Sequence, residues 1–484
     1  MTRLVVGPFN RVEGDLEVTL EVQDGRVASA QANSPLFRGF EQILLGKDPR
    51  DALVFVPRIC GICSVSQSAA AARALGDAMG LVPPPNGELA ANLILANENL
   101  ADHFTHFYLF FMPDFARDAY AGRPWFDAAR ARFKAVEGSA TADALPARAA
   151  FLQILGILAG KWPHSLTLQP GGSARGIGAS EKIRVHALLR QFRGWLERHL
   201  FGDSLDAIAA LDSVAALEAW KADRAPASSD FRLFLELADA LTLDRLGRAT
   251  DRFLSYGNYP TAGEPLFARG VWHAPTETLA SVAHTDIAED ASHAWMADAH
   301  PLHPWQGDTR VDIERPGAYS WCKAPRLAGE VVECGALARQ VVDGQPLIRE
   351  LVAASGGNVA NRVIARVLEF ARVVPAMERW VRAIEPGEAF CLHGPMPDEA
   401  QGLGMVEAAR GALGHWLVIR QGRIANYQVV APTTWNFSPR DAAGTPGALE
   451  QALVGTPVGE QETVPLAVQH VVRSFDPCMV CTVH

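Results

Sequence analysis

Two cysteine pairs with the spacing C-x-x-C constrain the fold of this chain more than any other feature. Cys60 and Cys63 stand in "RICGIC" near the N-terminus, and Cys478 and Cys481 stand in "DPCMVC", with Cys478 lying 415 positions after Cys63. Thiolates are soft ligands, which select zinc, iron-sulfur clusters, copper(I) or nickel over magnesium and calcium. Either the two pairs are unrelated, or the fold brings both ends of the chain together.

The spacing by itself leaves three interpretations open: a structural zinc, a catalytic or redox metal, and two unrelated pairs. Structural zinc sites usually keep their ligand pairs within tens of residues, because the metal replaces a core that a small module lacks. This chain has 484 residues, 49% hydrophobic and 20% charged, and can build a large core without a metal. The distance between the pairs therefore favours a catalytic metal over a structural zinc.

Charge and cysteine content argue against several other classes of protein. The net charge is −10, and no basic cluster of the kind that binds nucleic acid is present. Seven cysteines are too few for a disulfide framework, so we expect Cys322, Cys334 and Cys391 to be buried free thiols. The N-terminus lacks a signal-peptide pattern, and the longest apolar stretch, 149–160, is shorter than the roughly 20 residues of a membrane span.

Local patterns predict a mainly helical protein with small sheets. Alternation at 15–22 before Asp24-Gly25 predicts a β-hairpin, and 413–432 predicts two strands around a turn. The helix that follows Cys63 would favour the thiolate form of this residue through its N-terminal dipole. Further helical patterns occupy 87–112, 180–202, 230–247, 356–384 with a kink at Pro375, 448–454 and 464–474.

No repeat or composition break marks a second domain. We therefore predict an α+β, mainly α fold with a large helical core and small peripheral β-sheets. The prediction is one domain over 1–484, with a β-hairpin region at about 1–35 and a metal-binding segment at 476–484.

The two cysteine motifs resemble those of the large subunit of nickel-iron hydrogenases, R-x-C-G-x-C near the N-terminus and D-P-C-x-x-C-x-x-H at the C-terminus. The resemblance spans essentially the whole chain and implies the nickel-iron hydrogenase large-subunit fold. It continues through "RVEGDLEV" (11–18), "FRGFEQILLGKDPRDA" (37–52), "GILAGKWPHSLTLQPGG" (156–172), "KAPR" (323–326), "ECGALAR" (333–339), "EAARGALGHW" (407–416) and "PTTWNFSPRD" (432–441).

The resemblance implies a nickel-iron centre whose iron carries one carbonyl and two cyanide ligands. Cys60 and Cys478 would be terminal ligands of nickel, and Cys63 and Cys481 would bridge nickel and iron. The implied activity is heterolytic splitting of dihydrogen, with Cys478 as first base. Glu13 would carry the proton onward, because burial can tune a carboxyl group to exchange protons near neutral pH; without the resemblance, Glu13 could simply form an ion pair.

Arg410 and Thr433 would lie beside the cyanide ligands of the iron. Arg410 would lie over the open metal position, held by Asp102 and Asp476, where its permanent charge polarises dihydrogen and reaches a cyanide. Ala409 precedes it where many members have proline. Thr433, which follows Pro432, would donate a hydrogen bond to the second cyanide; its simpler role is to cap a turn.

A magnesium site is also implied by the resemblance. The C-terminal His484 would bind Mg²⁺ together with Glu41 and the carbonyl of Val429. One imidazole, one carboxylate and one carbonyl, completed by waters, suit the octahedral coordination of this ion. The C-terminus would then be anchored rather than frayed.

Position 67 departs from most of the family, which has histidine there. Gln67 hydrogen-bonds but takes up no proton near pH 7. Together with Ile62 and Phe110, which match bulky residues of a narrowed gas channel, it resembles the regulatory, hydrogen-sensing branch.

The resemblance therefore implies a hydrogen sensor, with an energy-conserving uptake hydrogenase as the first alternative. A non-catalytic subunit related to respiratory complex I is a second alternative, although those relatives lack the metal-binding cysteines. Either hydrogenase needs an iron-sulfur small subunit, in a heterodimer or a dimer of heterodimers, because this chain has no further cysteine set for clusters. A sensor would also need a histidine kinase and would be cytoplasmic.

Overall fold

The N-terminal hairpin forms where the alternating pattern predicts it, within a sheet of three antiparallel strands. In the computed structural model, which describes residues 2–297 and 300–482, these are β1 (Thr2–Val6), β2 (Glu17–Gln23) and β3 (Arg26–Asn33). Asp24 and Gly25 both have positive φ, 51° and 70°, as the tight turn of a two-residue hairpin loop requires. Strand β1 was not expected from the sequence.

Helices make up 47% of the structure and strands 20%, which confirms the predicted α+β, mainly helical class. The helices in the described residues are α1 (Phe40–Leu44), α2 (Ala52–Phe55), α3 (Ser64–Met79), α4 (Pro85–Thr105), α5 (Phe126–Phe133), α6 (Ser139–Ala159), α7 (Ala179–Trp195), α8 (Leu205–Ala209), α9 (Val214–Ala222), α10 (Asp230–Ala240), α11 (Ala336–Val342), α12 (Pro346–Ser355), α13 (Val359–Ala383), α14 (Pro432–Asn436), α15 (Ala448–Leu453) and α16 (Leu466–Ser474). Two π-helical turns, His106–Phe111 and Leu196–Phe201, extend α4 and α7. Helix α13 continues through Pro375.

The remaining strands form four small sheets around the helical core. They are β4 (Leu168–Gln169), β5 (Gly172–Ser173), β6 (Arg252–Thr261), β7 (Glu264–His273), β8 (Thr278–Ala280), β9 (Ile287–Asp290), β10 (Ala324–Leu327), β11 (Glu333–Cys334), β12 (Ala400–Ala408), β13 (Gly411–Arg420) and β14 (Arg423–Val430). The spatial orders are β4-β5, β11-β6-β7-β8, β10-β9 and β12-β13-β14. All pairs are antiparallel except β11 with β6.

Glycines in β12 let helix α3 pack directly on the sheet of β12, β13 and β14. A Cβ added at Gly404 would lie 1.9 Å from the carbonyl oxygen of Ala70, and one at Gly402 would lie 2.0 Å from that of Ala74. Only glycine, which has no Cβ, allows such a close approach of two backbones. Because Cys63 precedes α3 directly, this contact fixes one cysteine pair relative to the sheet.

Among the described residues, α6 is the one helix long and apolar enough to cross a membrane by length and composition alone. It packs against α4 and α7, and Phe151 stacks on Phe192 with ring centroids 4.0 Å apart. Phe151, Ile154 and Leu155 are buried in the main hydrophobic core. One face of α6 therefore belongs to the main core, while 39% of its most apolar window is buried overall.

Candidate metal centre

The fold brings the two cysteine pairs together. Sulfur–sulfur distances are 3.4 Å for Cys60 and Cys478, 3.2 Å for Cys63 and Cys481, and 3.1 Å for Cys478 and Cys481. All four atoms lie within 4.8 Å of one another, and no side chain of the four is more than 7% exposed. These distances are well beyond the roughly 2.05 Å of a disulfide. The pairs are therefore neither unrelated nor oxidised, and their four sulfur atoms form one site.

Backbone pairing delivers the second cysteine pair to the site. After α16 ends, Asp476 adopts a positive φ of 57° that redirects the chain. The Glu13 amide then donates to the carbonyl of Pro477 at 3.3 Å, and the Met479 amide donates to the carbonyl of Glu13 at 2.7 Å. The segment that carries Cys478 thus pairs directly with the N-terminal part of the chain.

The electrostatics of the thiols call for a cation. Burial, together with the neighbouring thiols, raises the pKa of Cys478 well above its ordinary value. Although burial opposes it, hydrogen bonds from the other thiols lower the pKa of Cys60. Four buried thiolates would need a bound cation to balance their charge. Four converging soft donors therefore fit a thiolate-bound metal centre.

Cys63 stands directly before α3, where the sequence places it. The Cys63 side chain makes no capping hydrogen bond. Instead, the amides of Val65 and Ser66 each donate to the Glu98 carboxylate at 2.8 Å, and the indole of Trp162 donates to it at the same distance. Hydrogen bonds from the other thiols, chiefly that of Cys478, raise the pKa of Cys63. Sequence reasoning missed Glu98, which comes from the middle of α4.

Arg410 lies buried between the two aspartates expected beside it. Its two terminal nitrogens bind the Asp102 carboxylate, one of them at 3.1 Å, and Nη2 also lies 3.2 Å from Asp476 Oδ1. Nε donates to the carbonyl of Asp476 at 2.7 Å. Although burial opposes it, the charge of Arg410 lowers the pKa of Asp476. The guanidinium is fixed, and its charge reaches Cys60.

A second buried arginine, not assigned from the sequence, supports the turn that carries Arg410. Arg339 Nη1 and Nη2 donate to the carbonyls of Ala408 and Ala409 at 2.7 and 3.0 Å. Its guanidinium also pairs with the carboxylates of Glu369 and Glu407 at 2.8 and 2.9 Å. The sequence contained this residue in "ECGALAR" but gave no sign of its partner.

Glu13 and Thr433 contact the segment around Cys478, whereas Pro432 contacts another thiol. Burial, followed by the charge of Cys60, raises the pKa of the half-buried Glu13. The Cys478 amide donates to the Thr433 hydroxyl at 3.1 Å, and the carbonyl of Pro432 lies 3.3 Å from the Cys334 thiol. The Thr433 hydroxyl keeps its own hydrogen to donate elsewhere.

Two of the three residues expected at a magnesium site lie together, joined through the Val429 amide rather than the expected carbonyl, and the third, His484, lies outside the described residues. The Val429 amide donates to Glu41 Oε1 at 2.8 Å. Lys323, from "KAPR", joins them with its ammonium group 3.5 Å from Glu41 and 3.0 Å from Glu289. Although burial opposes it, the charges of Glu289 and Glu41 raise the pKa of Lys323. This buried cation was also missed from the sequence.

Gln67 reaches the cysteine cluster, whereas its two companions are less directly placed. Gln67 Nε2 lies 3.9 Å from Cys481 Sγ. Ile62 is half-buried against the main core. Phe110 lies in a π-helical turn, where its carbonyl accepts from Arg11, and no described hydrogen bond or ring contact joins it to the cysteines. Of the remaining thiols, Cys322 and Cys334 are buried as predicted, but Cys391 is partly exposed.

Comparisons with known proteins agree with this geometry. The sequence model of the nickel-dependent hydrogenase family matches residues 38–123 and 139–484. The chain is 31% identical to the periplasmic NiFeSe hydrogenase large subunit of Desulfomicrobium baculatum, over 100% of this chain and 95% of the relative. It is 29% identical to the hydrogenase-2 large chain of Escherichia coli K12 and to the uptake hydrogenase large subunit of Rhodobacter capsulatus, covering 100% of this chain and 97% and 95% of those relatives.

Solved structures show the same fold. The Ni-Fe-Se hydrogenase of D. vulgaris Hildenborough in its reduced state superposes with a TM-score of 0.85 at 28% identity, covering 100% of both chains. The reduced, active enzyme of Desulfomicrobium baculatum gives 0.86 at 28% identity, again with full coverage of both chains. With its four cysteines converged and matching relatives along its whole length, this chain belongs to the nickel-dependent hydrogenase family, among the large subunits.

Proposed function

We propose that this chain is the metal-bearing large subunit of a hydrogenase that splits dihydrogen heterolytically and serves as a slow hydrogen sensor. The observation that carries the hydrogenase activity is the convergence of four buried thiols next to Arg410. The sensing role rests on Gln67, a side chain that cannot change charge near neutral pH and that contacts Cys481.

The four cysteines would hold a nickel-iron centre with one carbonyl and two cyanide ligands, which supplies the redox and Lewis-acid chemistry. Cys60 and Cys478 would bind nickel alone, while Cys63 and Cys481 would be shared with iron. Thr433 and Arg410 would donate hydrogen bonds to the cyanides beside Pro432. Since Arg410 is held from two sides, its charge is ready in place to polarise dihydrogen.

Proton transfer would run from Cys478 to Glu13. The sulfur of Cys478 accepts the first proton, and the Glu13 backbone is hydrogen-bonded to residues on both sides of Cys478. The raised pKa of Glu13 brings this carboxyl group closer to the pH at which it can both accept and release a proton. Glu41, the carbonyl of Val429 and His484 would hold Mg²⁺.

Electrons would leave through an iron-sulfur small subunit. The chain has seven cysteines, four of them in the cluster, so it lacks a second set of ligands for an iron-sulfur cluster. We propose a cytoplasmic heterodimer, or a dimer of heterodimers, that reports its state to a histidine kinase. An energy-conserving uptake hydrogenase is the second candidate, favoured by the likeness to the uptake hydrogenase large subunit of Rhodobacter capsulatus.

Turnover of the matured complex with an artificial electron acceptor tests the proposal. We expect slow hydrogen oxidation that persists in oxygen, and faster turnover in the Gln67→His variant, which regains a titratable group. Gln23→His, on an exposed strand end, should behave as the wild type. Fast turnover that oxygen abolishes would favour the uptake enzyme instead, and elemental analysis that finds no nickel or iron would refute both hydrogenase roles.

A further inference from the structure

A row of three buried side chains runs from Cys481 into the sheet of β12, β13 and β14. Gln67 Nε2 lies 3.9 Å from the Cys481 sulfur, and Gln67 Oε1 lies 2.8 Å from His415 Nε2. On the other side of the imidazole, Nδ1 lies 2.8 Å from the Tyr427 hydroxyl. All three side chains are at most 1% exposed, so bulk water does not compete for these contacts.

The chemistry of the groups fixes the direction of the row. An amide oxygen only accepts hydrogen bonds, so His415 Nε2 must carry a hydrogen, whether the ring is neutral or charged. The Gln67 amide nitrogen then faces Cys481 as a donor. A reversed amide would set N–H against N–H at His415 and oxygen against a thiolate at Cys481. The orientation of Gln67 therefore depends on His415.

Tyr427 in turn fixes the ring of His415. Burial raises the pKa of Tyr427, so its hydroxyl keeps its proton. That hydroxyl can donate to Nδ1 of a neutral ring and so select the tautomer with hydrogen on Nε2. His415 and Tyr427 lie on the neighbouring strands β13 and β14, with ring centroids 5.6 Å apart and planes at 77°. The far end of the row is thus built into a rigid sheet.

We propose that His415 and Tyr427 are positioning residues that keep the Gln67 N–H directed at the Cys481 sulfur. The inference rests on the proposed function, in which nickel and iron share Cys481. A hydrogen bond to a metal-bound thiolate withdraws electron density from sulfur and so tunes the metals. Since the Gln67 amide does not titrate near neutral pH, the group that faces the sulfur keeps the same charge.

Infrared spectroscopy of the matured complex with its small subunit detects this change in electron density without relying on turnover. Without the hydrogen bond, sulfur and iron carry more electron density, which weakens the carbon–oxygen bond of the carbonyl ligand. We therefore expect Gln67→Leu and Tyr427→Phe both to move the carbonyl stretch to lower wavenumber. Tyr120→Phe is the matched control, because it removes a hydroxyl 2.6 Å from another buried histidine, His470.

The double variant distinguishes positioning from a general disturbance of the site. If Tyr427 acts through Gln67, adding Tyr427→Phe to Gln67→Leu causes no further shift. A full additional shift, or a wild-type spectrum for Tyr427→Phe, would overturn the inference. Absence of all carbonyl and cyanide bands from the wild type would instead refute the proposed function on which it rests.

A second pair of variants covers the case in which Tyr427→Phe does not mature. His415→Leu removes the donor to Gln67, whereas His415→Gln retains an N–H that can reach the same oxygen. We expect the carbonyl shift with leucine and a partial return toward the wild-type position with glutamine. A wild-type spectrum for the leucine variant would contradict the inference.

Discussion

At the scale of residues, Glu13 is the carboxyl group that we propose carries the proton away from Cys478. Its backbone pairs with the segment around Cys478, and its carboxyl group feels the charge of Cys60. Glu13→Gln keeps the shape of the side chain but cannot transfer a proton. We predict that this variant loses roughly 10²- to 10⁴-fold in hydrogen oxidation, the usual contribution of a general acid–base group.

The measurement compares turnover with the infrared spectrum of the same preparation. The carbonyl and cyanide bands should persist in Glu13→Gln, because the metals and their ligands are untouched. Glu17→Gln, in strand β2, alters a carboxylate that accepts from Asn33 and should retain full activity. Undiminished turnover in Glu13→Gln would show that the proton leaves by another route.

Residues could be assigned from the sequence where a motif surrounds them. The cysteines, Arg410 and its aspartates were expected together, and the structure places them together. Glu98 and Lys323 were missed, because their partners come from distant segments: Glu98 binds amides 32 and 33 positions away, and Lys323 meets Glu41 282 positions away. A carboxylate in the middle of a helix gives no sign of the amides it will bind.

At the scale of elements, the contact of α3 with β12 sets the position of the first cysteine pair. A methyl group at Gly404 would meet the carbonyl oxygen of Ala70 at 1.9 Å, and backbone on both sides cannot give way cheaply. We predict that Gly404→Ala destabilises the protein by at least roughly 1–3 kcal/mol, as overpacking does. The strain should also lower the yield of metal-loaded protein.

Thermal unfolding of Gly404→Ala beside Gly156→Ala checks this prediction. Gly156 lies inside helix α6 with nothing within 4 Å of an added Cβ, so alanine there should be neutral or add up to about 1 kcal/mol through helix propensity. Equal unfolding temperatures for the two variants would mean that α3 and the strand can move apart at little cost.

Helices with a clear period and the alternating hairpins were predictable, but the sheet of β6, β7, β8 and β11 was not. Strand β6 is buried on both faces from Phe253 to Tyr259, so it has no alternation of polar and apolar residues to read. Its partner β11 has only two residues and pairs across a long separation in sequence. Other elements of the fold bury such strands on both faces, so the sequence of the strand alone does not reveal them.

At the scale of the whole molecule, the two ends of the chain form one site, so a bound metal should stabilise both together. Removing the metals should speed amide hydrogen exchange in residues 58–63 and 476–482 in parallel. A loss of about 2.7 kcal/mol of binding energy corresponds to roughly 100-fold faster exchange. The buried interior of α13, which is distant in sequence from both segments, serves as the internal control.

Hydrogen exchange followed by mass spectrometry of the metal-loaded and metal-free complexes gives the comparison. If only one of the two segments loses protection, the metal does not stabilise the two ends together. Retained protection in both would show that the backbone pairing of Glu13 with Pro477 and Met479 suffices without metal.

Because Cys63 and Cys481 are 418 positions apart, the ribosome makes the two cysteine pairs at different times. At roughly 5–20 residues per second of synthesis, the second pair of thiols is made about 20–80 seconds after the first. During that interval the growing chain carries only two of the four thiols. These two thiols must stay reduced and must not bind a free metal ion. Any factor that delivers nickel or iron must therefore either guard the first pair or arrive after the ribosome has finished.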